Sequence, residues 1–392
     1  MQGGARAEWE TLREVLVHEP GIEVFFALLS PSAHLYERFF DLEGARREHR
    51  QLRSVLHDLF GIRVRVLCDT IRDGARQSAE IREILLSLAR KRFSARCDGD
   101  ACTLSPRIRQ AWQEAAQLDD RDPAHLSLIA CLNPALVFGE AGIRTELAHP
   151  LHNLYFMRDQ QVACARGIIQ ARMAHRDREA EVEFAGLGLV ASGYAPSGRI
   201  SSGRLEGGDF IPLGDAALIG VGPRTDREGA AALLAQDPGF DEIAVVHQRG
   251  HPLVAGHDPM VAMHLDTYMN IASQDVVVGN PLLLSAATVT LYDRDGGQYR
   301  PKTETMPLDA YLRDRGWSII PITTLEQLCY ASNFLCVRDG ACVTPDTEAL
   351  APGVLLRVRE KARAFPEKYG PLLRQAEHDL QVLRADAEFF PH

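Results

Sequence analysis

The feature that most constrains the fold is a succession of short apolar runs from about residue 150 onward, each stopped within a few residues by glycine, proline or a charge. "NLYFMRD", "QVACARG", "LGLVASGY", "GDFIPLG", "AALIGVG", "EIAVVHQ", "VVVGN", "TVTLYD", "SIIPIT" and "NFLCV" read as strands, and only "TDREGAAALLAQ" and "LDAYLRDRG" among them carry helical spacing. Strands this short, with a helix only at intervals, do not build a doubly wound sheet. They predict an α/β chain of repeated β-rich units with one helix each. A weak internal likeness points the same way: "NLYFMRDQQVAC" from Asn153 and "NFLCVRDGACVT" from Asn333 share an opening Asn and an Arg-Asp pair.

The flanks differ. Residues 1–73 read as strand, helix, strand: "LREVLVHEP" runs into a Pro-Gly turn, and Leu52, Val55, Leu56 and Leu59 share one helical face ahead of Gly61. "GIRVRVLC" then alternates Ile62, Val64 and Val66 with arginines, as a half-buried strand does. Residues 74–138 are expected to form an all-helical insertion, with Ile81, Ile84, Leu85 and Leu88, then Ile108, Trp112 and Ala115, then "DPAHLSLIACL". Residues 139–345 hold the strand-rich remainder. Residues 346–392, with Leu372, Leu373, Ala376, Leu380 and Leu383, read as a C-terminal helical extension.

Composition narrows the function. Of 392 residues 46% are apolar and 24% charged, the balance of a globular chain, and 53 acidic residues exceed 43 basic ones with no polybasic run. Nucleic acid and anionic membranes are therefore unfavoured partners. No apolar run reaches the roughly 20 residues that span a bilayer, and the N-terminus shows no secretion signal, so a cytoplasmic location is expected. Eight cysteines, none in a CxxC pair, exclude a disulfide scaffold and a zinc ribbon; Cys97 and Cys102 in "CDGDAC" lack a second ligand pair.

Four clusters beside strand-like runs could carry chemistry: Asp159 in "NLYFMRD", Glu206 and Asp209 in "RLEGGDF", His264 and Asp266 in "MHLD", and Cys336 in "SNFLCV". The paired glycines after Glu206 allow a sharp turn and a close approach, so its carboxylate could be aimed into a cavity or lie solvated at a plain turn. On a strand, His264 and Asp266 would share a face, which suits a pocket or a solvated surface equally. A metal site would need further ligands, and no HExxH or second short His or Cys spacing supplies them. Asp159 beside Arg158 also suits a strand-end ion pair. Cys336 in its apolar run also suits a small buried hydrophobe.

Taken together and in order, "LREVLVHEPG", "EGARREHRQL", "NLYFMRD", "RDRE", "LEGGD", "GPRTD", "MHLDT" and a late cysteine resemble the motifs of the arginine deiminase family, within the guanidine-modifying (pentein) superfamily. The resemblance runs from about residue 10 to residue 340, and the helical stretch 74–138 is similar to an insertion of that family. It implies a five-bladed α/β propeller of ββαβ units. It implies hydrolysis of L-arginine to citrulline and ammonia, with other guanidine hydrolases, amidinotransferases and an inactive binding protein as alternatives.

By the same resemblance Asp159 and Asp266 grip the guanidinium nitrogens, and Glu206 and His264 move protons. Cys336 forms a covalent amidino-thioether, with Cys329 and Cys342 as alternatives. Arg176, with Arg178 as its fallback, and Arg224 face the substrate carboxylate; Asn153 contacts the amino-acid end, and Asp209 belongs to the substrate site. The resemblance implies no cofactor and no metal, a small guanidino substrate as partner, and a homo-oligomer.

Overall fold

The computed structural model describes residues 3–98, 105–115, 117–139, 142–147, 149–259 and 261–389; Cys102 lies outside them. The chain divides into two compact units: Arg13–Gln161 with His175–Pro196, and Gly3–Leu12 with Val162–Ala174 and Ser197–His392.

The first unit begins with the expected strand, helix and strand, and adds a helix, Ile22–Leu28, that the sequence reading did not anticipate. Strand β1 (Glu14–Val17) leads through helices α1 (Ile22–Leu28) and α2 (Leu42–Ser54) to β2 (Arg63–Val66), which pairs parallel with β1. Gly61 stops the helical run, at a φ of 67° where glycine is unstrained. Helices α3 (Leu67–Gln77) and α4 (Ala79–Arg92) follow, the second capped by the Ser78 hydroxyl.

Between 74 and 138 the expectation of helix alone is corrected. Helices α5 (Pro106–Ala115) and α6 (Pro123–Leu132) are present, but β3 (Ser94–Cys97) pairs parallel with β4 (Pro134–Gly139), which pairs antiparallel with β5 (Gly142–Leu147). Asn133, at a φ of 53°, ends α6 and frees the apolar "PALVFG" run to become a strand. A run that short carries no period of its own.

A second correction concerns "LGLVASGY", which is the end of helix α7 (Glu179–Ala191) and not a strand. Val182, Phe184, Ala185, Leu187 and Leu189 are all buried, and from Phe184 to Ala191 the helix has no polar residue, so it lacks the amphipathic stripe that would have marked it. Leu67, Ile71, Leu85, Leu126, Phe184 and Leu187 form the core of this unit. Each such side chain contributes about 1.5–3 kcal/mol on burial.

The second unit supplies most of the short strands. Strands β6 (Gln161–Cys164), β7 (Gly167–Gln170) and β8 (Gly198–Arg199) form one sheet, with β7 and β8 parallel. Strands β9 (Phe210–Leu213) and β10 (Ala216–Val221) are an antiparallel hairpin, after which α8 (Arg227–Ala235) returns the chain to β11 (Glu242–His247), parallel to β10. This is a ββαβ unit as expected.

Strands β12 (Met269–Ser273) and β13 (Val276–Gly279) form the next hairpin. Helix α9 (Pro281–Ala286), the hairpin β14 (Thr288–Asp295) and β15 (Gln298–Pro307), and α10 (Leu308–Asp314) precede β16 (Ser318–Pro321), which joins β13 in parallel. Helix α11 (Thr324–Leu328), the hairpin β17 (Leu335–Arg338) and β18 (Ala341–Val343), and helices α12 (Thr347–Ala364) and α13 (Pro366–Phe389) complete the chain.

Outside β3–β5, the described strands fall into five separate sheets, the number of blades that the resemblance implies. The internal likeness at Asn153 and Asn333 does not extend to local structure. "NLYFMRD" is a series of turns, whereas "NFLCV" enters strand β17.

Candidate active site

In the second unit strand order gathers the polar residues. Because β9 and β10 are antiparallel, the residues just before β9 and just after β10 lie at one end of the hairpin; because β11 runs parallel to β10, its exit lies at that end too. Glu206 and Asp209 precede β9, Arg224 and Thr225 follow β10, and Gln248 follows β11. His264 and Asp266 belong to a 3₁₀ turn at Leu265–Thr267 that leads into β12, not to a strand as the sequence suggested.

Glu206 is fully buried, with its Oε2 2.9 Å from Nε2 of His264. Its Oε1 accepts a hydrogen bond of 2.8 Å from the Ala174 amide, and Nη1 of Arg224 lies 3.8 Å away. On the other side of the imidazole, Nδ1 of His264 is 3.9 Å from Oδ1 of Asp266. A histidine between two buried carboxylates is held in one orientation and can carry a proton between them.

The glycine pair serves the close approach. A Cβ on Gly208 would lie 2.5 Å from Nδ1 of His264, and one on Gly220 would lie 2.4 Å from Oδ1 of Asp209. Only glycine leaves room for either side chain.

Asp209 is buried and accepts from Gln248 (2.8 Å) and from the Leu265 amide (3.1 Å), so it braces the turn that carries His264. Burial, against the attraction of His264, pushes its pKa up to about 6. Arg224 is buried too, and its Nη1 makes no hydrogen bond among the described residues. A cavity of about 420 Å³ beside this cluster is lined by Pro223, Gln248, Arg249, His257, Ala262 and Tyr268.

Segment 332–334 is tied to the same turn: the carbonyl of Asp266 accepts from Asn333 (3.2 Å), and Asn270 donates to the Phe334 carbonyl (2.9 Å). Cys336 continues from there into β17, where it pairs in register with Cys342. Its buried thiol donates to the carbonyls of Ala272 (3.4 Å) and Arg338 (3.2 Å). The neighbouring Cys342 thiol, reinforced by burial, pushes the Cys336 pKa well up, and the same contact holds the half-buried Cys342 down. Cys329, buried at the end of α11, is pushed up to about 11 by burial.

In the first unit Asp159 lies in the turns before β6. Its Oδ2 accepts 3.0 Å from Nη1 of Arg178, whose Nε donates 2.9 Å to Glu181. Glu181, held high by burial against the pull of Arg178, also accepts from the Asn153 amide and from Gln160, both at 3.1 Å. Arg178 is thus the buried arginine of this segment, and Arg176 is exposed. Asn153 joins through its backbone.

Sequence reasoning missed Glu181, Gln160, Thr225 and Gln248. The spacing of Arg178 and Glu181, three apart at a helix start, was the one available signal.

The model of the family "Arginine deiminase" matches residues 33–355, and the chain belongs to that family. It is similar to the arginine deiminase of Halobacterium salinarum, 26% identical over 81% of this chain and 79% of that one. It is also similar to that of Rhodococcus jostii, 28% identical over 74% and 73% of the two chains. Among solved structures, it is similar to an amidinotransferase of the saxitoxin biosynthetic pathway from Microseira wollei, at 14% identity and a TM-score of 0.45 over 91% and 89% of the two chains.

Proposed function

We propose that this chain hydrolyses the guanidinium of L-arginine to L-citrulline and ammonia. The observation that carries this reading is the buried pair of Glu206 and His264, 2.9 Å apart, in a chain of the arginine deiminase family.

A guanidinium is cationic and resonance-stabilised, so its central carbon yields only to a strong nucleophile while carboxylates hold its nitrogens. Asp266 and Asp159 take the holding role. His264, oriented by Glu206, protonates the departing ammonia and then deprotonates the water that cleaves the amidino-thioether. Arg224, a buried cation whose Nη1 makes no hydrogen bond among the described residues, suits the substrate carboxylate. Arg178 supports Asp159 from behind, a role Arg176 cannot fill from the surface.

Cys336 is the proposed nucleophile, and Cys342 is favoured as the alternative by its half-exposed, lowered thiol. A second reading, a guanidino-compound binding protein or an enzyme on another guanidine, is favoured by one observation: the Cys336 thiol is committed to the carbonyls of Ala272 and Arg338. The proposal extends to a cytoplasmic homo-oligomer with no nucleic-acid partner and no cofactor.

The test is incubation with L-arginine and quantification of citrulline and ammonia, with Cys336→Ala, Cys342→Ala, Cys329→Ala and His264→Ala beside the unaltered protein. Equimolar products, lost in one cysteine variant and reduced about 10²–10⁴-fold by His264→Ala, support the reading. No product from the unaltered protein, together with measurable arginine binding, supports the second one.

A further inference from the structure

We propose that Cys68 is an oxidative-modification site that takes a hydroperoxide, with Cys131 as its resolving thiol. All the parts lie in the first unit. His18 directly follows β1, Glu23 is in the first turn of α1, Cys68 is the second residue of the 11-residue helix α3, and Cys131 is near the end of α6. Nε2 of His18 is 2.9 Å from Oε1 of Glu23, and its Nδ1 is 3.8 Å from the Cys68 sulfur. Cys131 belongs to the buried cluster against which Cys68 packs. None of these four residues has a part in the guanidine chemistry.

The arrangement is that of an activated thiol. Glu23 and the Gly21 amide fix each other at 2.7 Å, so the carboxylate is held where it orients the imidazole. His18 and Glu23 are 3% exposed and Cys131 is 2% exposed, whereas Cys68 is only half-buried. Burial opposes a charge on His18, but the bonds to Cys68 and Glu23 outweigh it and push its pKa up to about 10. The neighbouring Cys131 thiol, with His18 and against burial, holds the Cys68 thiol well below its usual value; the Cys68 thiol and burial hold Cys131 well above. Arg92 acts on Cys131, and His49 faces His18, so the four groups titrate within this set of charges. A thiolate beside an imidazolium and the start of a helix is the reactive form of cysteine.

The chemistry balances. The Cys68 thiolate attacks one oxygen of the peroxide, an S–O bond forms as the O–O bond breaks, sulfur loses two electrons, and the leaving oxygen takes a proton from His18. The Cys131 sulfur then attacks the Cys68 sulfenic acid. The S–S bond forms, the hydroxyl leaves as water, and the Cys131 proton goes into that water.

The experiment treats the reduced full-length protein with about one equivalent of hydrogen peroxide, blocks remaining thiols with N-ethylmaleimide, and follows each cysteine by peptide mass spectrometry. A Cys68–Cys131 disulfide forming at least about tenfold faster than oxidation of the half-buried Cys97 is the expected result. In Cys131→Ser, dimedone should trap the sulfenic acid at Cys68, and His18→Gln should slow Cys68 oxidation about tenfold or more. Cys68 reacting no faster than Cys97 in the unaltered protein overturns the proposal whatever the variants do. Cys68 oxidation without linkage to Cys131 overturns the resolving role.

Discussion

At the scale of single residues, the site depends on space as much as on charge. The glycine after Gly207 is there because the His264 ring occupies the volume a Cβ would need. Gly208→Ala should therefore displace the imidazole and lower citrulline production at least about 100-fold, while the circular-dichroism spectrum stays that of the unaltered protein. Asp209 tests the electrostatics. Its folded pKa of about 6 lies above the value near 3.8 of a free carboxyl, so the fold favours the protonated form. Its stabilising contribution is full below about pH 4 and is lost as pH rises through 6. Relative to the unaltered protein, Asp209→Asn should gain on the order of 1–3 kcal/mol between pH 4 and pH 7.5 in denaturant titrations. A constant difference across that range would remove Asp209 from the account.

At the scale of elements, the C-terminal helices are part of the second unit's core and not an appendage. Val354, Leu355, Val358, Tyr369, Leu372 and Ala376 pack with Val254, Val261, Leu325 and Leu328 in one buried cluster. Asp379 of α13, 4% exposed, accepts 2.9 Å from the Leu325 amide in the first turn of α11 and 2.8 Å from Gln375. That carboxylate satisfies an amide that the helix itself leaves open. Asp379→Ala should cost about 1–3 kcal/mol in chemical unfolding, and Asp379→Asn, which keeps an acceptor, should recover most of it. The elements also mark where sequence reading failed. Helix α7 was misread because its run from Phe184 to Ala191 is unbroken by polar residues, and β3 and β4 because strands of four and six residues are too short to show a period. The strands β9, β10, β11, β13, β14, β16 and β17 were legible because turn residues bracket each of them.

At the scale of the whole molecule, each unit holds a histidine buried in its neutral form: His152 in the first and His251 in the second, both pushed down to about 4 chiefly by burial. A free imidazole takes up its proton near 6.5, so the unfolded chain binds more protons than the fold below that pH. The stability present above 6.5 is lost as pH falls toward 4, by on the order of 3 kcal/mol for each histidine. The midpoint of thermal unfolding should drop steeply from pH 7 to pH 4.5. His251→Gln, which keeps an acceptor for the Leu253 amide, should flatten that slope. Sequence alone determined the family, the strand-rich character of residues 139–345 and the residue types of the site, because these reside in local runs: the bracketed strands, "LEGGD" and "MHLDT". Only tertiary structure decided that His264 stands 2.9 Å from a carboxylate 58 positions away, that Arg178 and not Arg176 meets Asp159, and that the Cys336 thiol faces Ala272. Those outcomes follow from strand pairing and packing between distant segments, where a shift of one or two residues exchanges a buried side chain for an exposed one, and no local pattern records it.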